Sequence, residues 1–401
     1  MSAAPTAAPT AHRLRNIRRR WAILGVLTLA ASLASIQATF AAPYIPGSDG
    51  EVLAELPVGA RHTSPASRAL SLKRLDIALP VAQFDIGRAR ATGDLRYLGY
   101  AQAALAPWMS KTPVPTAVLV LDATILQSRH AFVPALKELD LALAQRPDDP
   151  QGWLTRATVL RVLGRYAEAQ ASCQHLAGVA DAAVTTLCLE SLNSLNGNLR
   201  AAYVRVTALP EQAMPPEARA WRDSELGEMA ERLGDDDAAE RWFRAGLATA
   251  PDDLYIRSAL ADVLLRHQRA AETLQLLSGM DSMEPMLLRL AIAHRQLHDP
   301  QTASSAALLG GEFDLEQQRG DSVHRREQAR YFLDVDPQPK AALAAALANW
   351  QVQREPDDVL VLLRAAQAAK QPDAAQPARE FLRQQHLEDV RFNTPDKGPA
   401  S

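Results

Sequence analysis

The sequence predicts an all-α fold in which consecutive helical hairpins stack into a solenoid. Three observations carry this. Small residues recur at a spacing of 34: Ala101, Ala135 and Ala169 share a register, as do Pro113 and Pro147, Leu119 and Trp153, and Ala123 and Ala157. Self-similarity at such a period marks a repeat array. The phrase Pro-Asp-Asp returns at 147–149, 251–253 and 356–358, joining a proline that stops one helix to an aspartate able to cap the next. Finally, 47% of the residues are apolar but only 5% are aromatic. Alanine, leucine and valine make up most of that mass, which suits closely packed helices better than sheets. No segment beyond residue 66 sustains period-two alternation, so essentially no strand is expected.

At 401 residues the chain exceeds one ordinary core and requires several domains or a repeat architecture. Net charge is −3, and Arg13, Arg15, Arg18, Arg19 and Arg20 precede residue 42 without an acid, which leaves −8 on the remainder. An acidic body argues against a nucleic-acid partner, for which a basic stripe is needed.

The elements follow in chain order. Residues 1–41 read as a signal peptide or signal-anchor: basic residues from Arg15 to Arg20 precede an uncharged run from Trp21 to Ala42. Small residues permit cleavage after Ala41 or Ala34. Uncleaved, the run reaches about 33 Å, enough for a bilayer core, although Ser32, Ser35, Gln37 and Thr39 weaken its second half. Either way the arginines stay inside and the body is placed in the periplasm, with inner-membrane contact through residues 21–42 if the segment is retained. The double arginine before Trp21 meets the twin-arginine export motif only in part. Residues 42–66 are a linker punctuated by Pro43, Pro46, Gly47, Gly50, Pro57, Gly59 and Pro65. Regular hairpins are expected over 67–283, degenerate helical repeats over 284–388 and a disordered tail over 389–401.

Within one unit the logic is local. A first helix runs from Gly152 to about Leu163, and Pro150 is tolerated near its start because its missing N–H has no partner there. Gly164 permits the turn, and Tyr166 and Ala169 begin a second helix. From Asp223 to Pro251 the same order returns: Gly234 turns, Ala239 packs, Phe243 fills the gap to the next hairpin, Gly246 is small and Pro251 closes. Each hairpin has two apolar faces and covers both only by stacking. Cys173 and Cys188, fifteen residues apart on neighbouring helices, read as a disulfide in an oxidising compartment. Two buried thiols are the alternative.

These residues resemble the tetratricopeptide repeat family, whose unit is a 34-residue hairpin with a Gly-x-aromatic-x-x-Ala turn, spelled here Gly164-Arg165-Tyr166-Ala167-Glu168-Ala169. The pattern is fullest over 116–149, 150–183 and 220–253 and looser over 80–113, 184–210 and 254–280. It is degenerate over 285–388, where Gly310-Gly311 and Gly320 interrupt the register. His130 and Gln268 stand where the turn glycine belongs, and Thr273 replaces a packing alanine. About eight units are expected in an array of this period. The resemblance implies a right-handed α-solenoid whose concave surface, lined by the first helix of each hairpin, takes a partner segment. By that register the groove candidates are Thr124, Gln127, Thr155, Thr158, Arg161, Glu225, Glu228, Glu231, Tyr255, Asp262 and Arg266. An acidic centre flanked by arginines favours a basic or mixed-charge ligand. Charge reversal at Glu225, Glu228 and Glu231 is expected to abolish capture and leave the fold intact.

Catalytic motifs are missing. There is no phosphate-cradling Gly-x-x-x-x-Gly-Lys, no Gly-x-Ser-x-Gly and no dinucleotide glycine fingerprint. His294 and His298 at i,i+4, with Asp299 beside them, have a spacing that can hold a metal, but no third ligand can be named. His324 with Glu327 offers less. Arg319-Gly320-Asp321 reads as a turn between helices. The sequence thus points to a non-catalytic interaction scaffold of the bacterial cell envelope, without cofactor or metal, that binds other envelope proteins or peptides and assists assembly of a complex. The alternative is a metal-handling protein or enzyme using the C-terminal third around His294 and His298.

Overall fold

A computed structural model describes residues 72–319 and 324–393, all within the unit spanning Pro65–Ser401. The export or anchor segment, the 42–66 linker, Gly320-Asp321 and the last residues of the tail lie outside the described residues. Eighteen α-helices and no strand occur among the described residues, and none of these helices is long and apolar enough to cross a membrane.

The helices form nine consecutive pairs. Pair one is α1 (Leu75–Thr92) with α2 (Arg96–Met109), pair two α3 (Thr116–Ser128) with α4 (Phe132–Gln145), and pair three α5 (Pro150–Val162) with α6 (Tyr166–Gln174). Pair four is α7 (Ala182–Asn193) with α8 (Leu199–Thr207), pair five α9 (Pro216–Leu233) with α10 (Asp236–Thr249), and pair six α11 (Leu254–Arg266) with α12 (Ala270–Leu276). Pair seven is α13 (Glu284–Gln296) with α14 (Thr302–Arg319), pair eight α15 (Arg325–Asp334) with α16 (Pro339–Trp350), and pair nine α17 (Pro356–Ala368) with α18 (Gln376–Gln385). First helices of successive pairs touch one another along the array, as α1 touches α3 and α15 touches α17.

Capping sets the starts. Asp149 accepts from Gly152 N at 2.8 Å and Asp253 from Ile256 N at 2.9 Å, so the first two Pro-Asp-Asp phrases cap α5 and α11. The third phrase is shifted. Pro356 is itself the first residue of α17, and Asp358 reaches back to accept from Glu355 N at 2.7 Å.

Turns obey one geometry with several spellings. Gly93, Gly164, Gly197 and Gly234 sit between their helices at φ between 68° and 80°. His130 and Gln268, the apparent departures, take the same left-handed conformation at φ 54° and 57°. Gly310 and Gly311, which stand where the repeat register is interrupted, lie inside α14. Gly310 is small because a Cβ there would meet the Tyr331 hydroxyl at 2.8 Å, and that hydroxyl donates to Ala306 O at 3.1 Å. Thr273 is fully buried where alanine was expected; its hydroxyl donates to Arg269 O at 3.3 Å, so the polar atom is paired within its own helix.

Close approach holds the pairs together. In pair five a Cβ on Gly227 would lie 2.4 Å from the Phe243 ring, and Phe243 and Ala239 are fully buried. Burial of a phenylalanine contributes roughly 2–3 kcal/mol. A disulfide joins Cys173 on α6 to Cys188 on α7, Cα atoms 5.7 Å apart, and ties pair three to pair four.

The last pairs also pack back onto earlier ones. Arg354 N donates to Val162 O at 2.8 Å, and Tyr166 meets the edge of Phe381 with ring centroids 5.7 Å apart. Gly164 leaves room for this contact, since a Cβ there would come within 2.7 Å of Phe381. Glu388 accepts from Leu199 N at 3.1 Å, and Val390 lies against Gly234. One apolar cluster accordingly contains Leu160, Tyr166 and Leu192 together with Leu362, Ala365 and Phe381.

Candidate functional site

The eleven predicted groove residues all fall on first helices: Thr124 and Gln127 on α3, Thr155, Thr158 and Arg161 on α5, Glu225, Glu228 and Glu231 on α9, and Tyr255, Asp262 and Arg266 on α11. The structure brings seven of them into a set of ion pairs and hydrogen bonds that falls into three groups. Arg161 pairs with Glu225 and, at 3.1 Å, with Glu228. Tyr255 donates to the other Glu228 oxygen at 2.5 Å, and Trp221 Nε1 donates to Glu225 at 3.1 Å. Glu231 pairs with Arg266 at 2.5 Å. Asp262 accepts from Arg289 at 2.5 Å and takes both arms of Arg330 at 2.8 and 3.0 Å. The four Gln and Thr residues stand apart from it. Thr124 and Thr158 donate to Val120 O and Leu154 O within their own helices, and Thr155 accepts from Gln151.

The acidic centre is therefore not a solvated patch. Glu225 is 3% and Glu231 6% exposed, and their counter-charges are Arg161 and Arg266, with Arg391 3.8 Å from Glu231. Reversing the three glutamates would leave Arg161 and Arg266 facing lysines in a desolvated place, so that substitution tests stability rather than binding.

Electrostatics record the same enclosure. Burial, reinforced by Glu225, pushes the Glu228 carboxyl up to about 7 against the pull of Arg161. Burial raises Glu231 as well, with Arg266 and Arg391 opposing. Burial also works upward on Asp262, but Arg289 and Arg330 outweigh it and hold that carboxylate well below its usual range. Burial and then the Glu228 carboxylate lift Tyr255 far above the ordinary phenol value, although its side chain is 52% exposed. Water thus reaches the ring while surrounding protein screens the charges poorly.

Several members escaped the sequence reading: Arg289 on α13, Arg326 and Arg330 on α15, and Glu355, Asp358 and Arg391 around α17. The signal was present. Arg326, Arg330 and Asp334 are spaced at i,i+4, and Asp334 pairs with Arg364 of the next first helix at 2.6 Å. Extending the first-helix register past residue 284 would have found Arg289, Arg326, Arg330 and Asp358, though not Glu355 or Arg391.

His294 and His298 do not form a metal site. Helix α13 ends at Gln296, and His298 is the left-handed turn residue of pair seven at φ 53°, so the two rings do not share a helical face. His294 Nδ1 lies 3.6 Å from Asp299. Among the described residues, the group that converges with metal-ligand spacing is Glu284, Glu316 and His324. On the outer surface a cleft of about 380 Å³ is lined by Asp140, Trp153, Arg156 and His175. Its groups are already engaged: Trp153 stacks on His175, and Arg156 bonds Asp140 and Ser172.

No family model matches the chain, and no curated protein does. Among solved structures it is similar to the TPR domain of P58(IPK), 14% identical with a TM-score of 0.25, over 69% of this chain and 95% of that one. It is also similar to yeast Tom70, 11% identical with a TM-score of 0.25, over 82% of this chain and 94% of that one. At such scores neither likeness carries an argument, and the fold rests on the helices described above.

Proposed function

We propose that this chain is a non-catalytic protein-binding scaffold of the bacterial cell envelope, built as a right-handed solenoid of tetratricopeptide-type hairpins. In this reading it is exported to the periplasm, or tethered to the inner membrane through residues 21–42, and assists assembly of an envelope complex. The observation that supports it is the inner face. First helices from pairs three, five, six, seven, eight and nine bring their polar groups to one surface, which stays accessible at Tyr255 and at Asp357, 56% exposed. Such a surface suits a basic or mixed-charge segment of a partner protein.

The glutamates at its base are committed to the chain's own arginines. Contact with a partner then falls to Tyr255, Asp357 and Arg266, with Gln127 and Thr158 beyond them. Affinity capture from envelope extract, with cross-linking, tests this by comparing the natural chain with a Tyr255→Ala/Asp357→Asn variant. The captured polypeptide should be lost from the variant while the circular dichroism spectrum is kept, and capture by the natural chain should weaken with added salt, since accessible charges are screened beyond about 8 Å at physiological ionic strength. Undiminished capture by the variant would remove this face as the binding surface. Fractionation of cells with an antibody to the chain tests the location separately.

A further inference from the structure

We propose that Glu284, Glu316 and His324 form a binding site for a divalent transition-metal ion, with zinc the best match to the donors. Three separate elements deliver them. Glu284 is the first residue of α13, Glu316 lies in α14, and His324 precedes α15. His324 Nδ1 stands 2.7 Å from Glu284 Oε2 and 2.8 Å from Glu316 Oε1, and all three ligand atoms lie within 4.8 Å of one another. Donors around a tetrahedral zinc ion at about 2.0–2.1 Å are separated by about 3.3–3.4 Å. The three side chains already converge on one point and need to part by only about 0.6 Å to admit the ion.

Hydrogen bonding alone accounts poorly for the cluster. A ring nitrogen carries at most one hydrogen, so Nδ1 cannot serve both carboxylates with well-aligned bonds. The three side chains are only 12%, 17% and 18% exposed for Glu284, Glu316 and His324, which sets them apart from a solvated acidic surface. Glu284 Oε1 and, one helical turn before Glu316, Glu312 Oε2 are buried and accept no hydrogen bond. Buried carboxylate oxygens without a donor are costly. A doubly charged ion held by Glu284, Glu316 and the imidazole, with Glu312 behind, offsets that cost. One imidazole with carboxylates suits zinc better than magnesium or calcium, which favour oxygen alone.

The test uses the full chain, stripped with a chelator, desalted and titrated with zinc against a chromophoric competitor. The expected result is one zinc per chain, with affinity reduced roughly 100-fold or more in His324→Ala and in Glu316→Gln. Glu312→Gln, acting behind the ligands, should weaken binding by about tenfold. Zinc should also raise the melting temperature of the natural chain and leave that of His324→Ala unchanged, because a ligand that binds only the folded state stabilises it. This readout compares each protein with itself and so holds if the variants are less stable. Failure of the natural chain to bind zinc, or zinc affinity in His324→Ala and Glu316→Gln equal to that of the natural chain, would overturn the proposal and leave His324 as a counter-ion for two carboxylates.

Discussion

Pairs one to six and pairs seven to nine make the same hairpin with different residues. In the first region the turn is taken by Gly93, Gly164, Gly197 and Gly234, and by His130 and Gln268 in the same left-handed conformation; in the second it is taken by His298 and Lys370 at φ 53° and 56°. A residue with a Cβ in that conformation costs roughly 1–2 kcal/mol, so packing of the two helices, not glycine, imposes the turn. The regions also divide the charge of the inner face. The first contributes Glu225, Glu228, Glu231 and Asp262; the second contributes Arg289, Arg326, Arg330 and, just beyond α18, Arg391. Each region also pairs charges within itself: Glu225 and Glu228 with Arg161 and Glu231 with Arg266 in the first, Arg326 with Asp358 and Arg391 with Asp389 in the second. The two meet through fewer contacts, chiefly Arg289 and Arg330 on Asp262, with Arg391 3.8 Å from Glu231 and Glu355 3.9 Å from Arg161.

The largest expected effect comes from breaking a buried ion pair inside the first region. Glu225→Lys sets a lysine against Arg161 where burial is nearly complete, and should destabilise by about 3–5 kcal/mol in urea unfolding. A change below about 1 kcal/mol would mean that the Arg161–Glu225 pair is not held in the desolvated setting its burial implies. Next is the disulfide, which sits within the first region. Cys173→Ser should lower stability by about 3 kcal/mol, the chain-entropy value for a loop of this length. Labelling of unfolded, unreduced protein should find no free thiol.

Acid sharpens the comparison further. Asp262 titrates below its unfolded value because Arg289 and Arg330 overcome its burial. Its contribution is therefore fully present above pH ~4 and disappears as pH falls through the depressed folded value. Asp262→Asn should be less stable than the natural chain at neutral pH, and the difference should shrink on acidification below pH ~4. A difference independent of pH would show that the carboxylate's charge is not what joins the regions. Smallest of all, Gln268→Gly should stabilise by up to about 1 kcal/mol by relieving the left-handed turn, whereas Glu168→Gln, which removes an exposed partner of Arg165, should change stability by no more than about 0.5 kcal/mol.

Much of this was legible because helical packing writes itself in small residues at fixed spacing. Ala123, Ala135, Ala157 and Ala169 are all buried between helices, as their shared register implied. Gly164 and Gly234 marked turns for the same reason. The limits came where one geometry accepts several residues: His130, Gln268, His298 and Lys370 all turn left-handed, and pair eight turns without a left-handed residue, so a glycine search misses five of the nine turns. Gly310 answers to a different constraint, since its smallness inside α14 makes room for Tyr331. The groove register placed Arg161, Glu225, Glu228 and Tyr255 correctly on first helices. What it could not reveal was the burial of Glu225 and the contact of Arg161 with Glu355, which joins residues about 200 positions apart, a distance beyond any local pattern. Glu284, Glu316 and His324 were unreadable for a different reason: they come from three successive elements and share no helical spacing.

The account stands most directly on that return contact, which a double-mutant cycle across Tyr166 and Phe381 measures. Tyr166→Leu, Phe381→Leu and the double variant would be compared by urea unfolding. Edge-on aromatic contact predicts a coupling of about 0.5–1.5 kcal/mol between these two residues of pairs three and nine. Effects that simply add, within about 0.3 kcal/mol, would contradict the packing of the last pair against the third and with it the closed, ion-paired inner face.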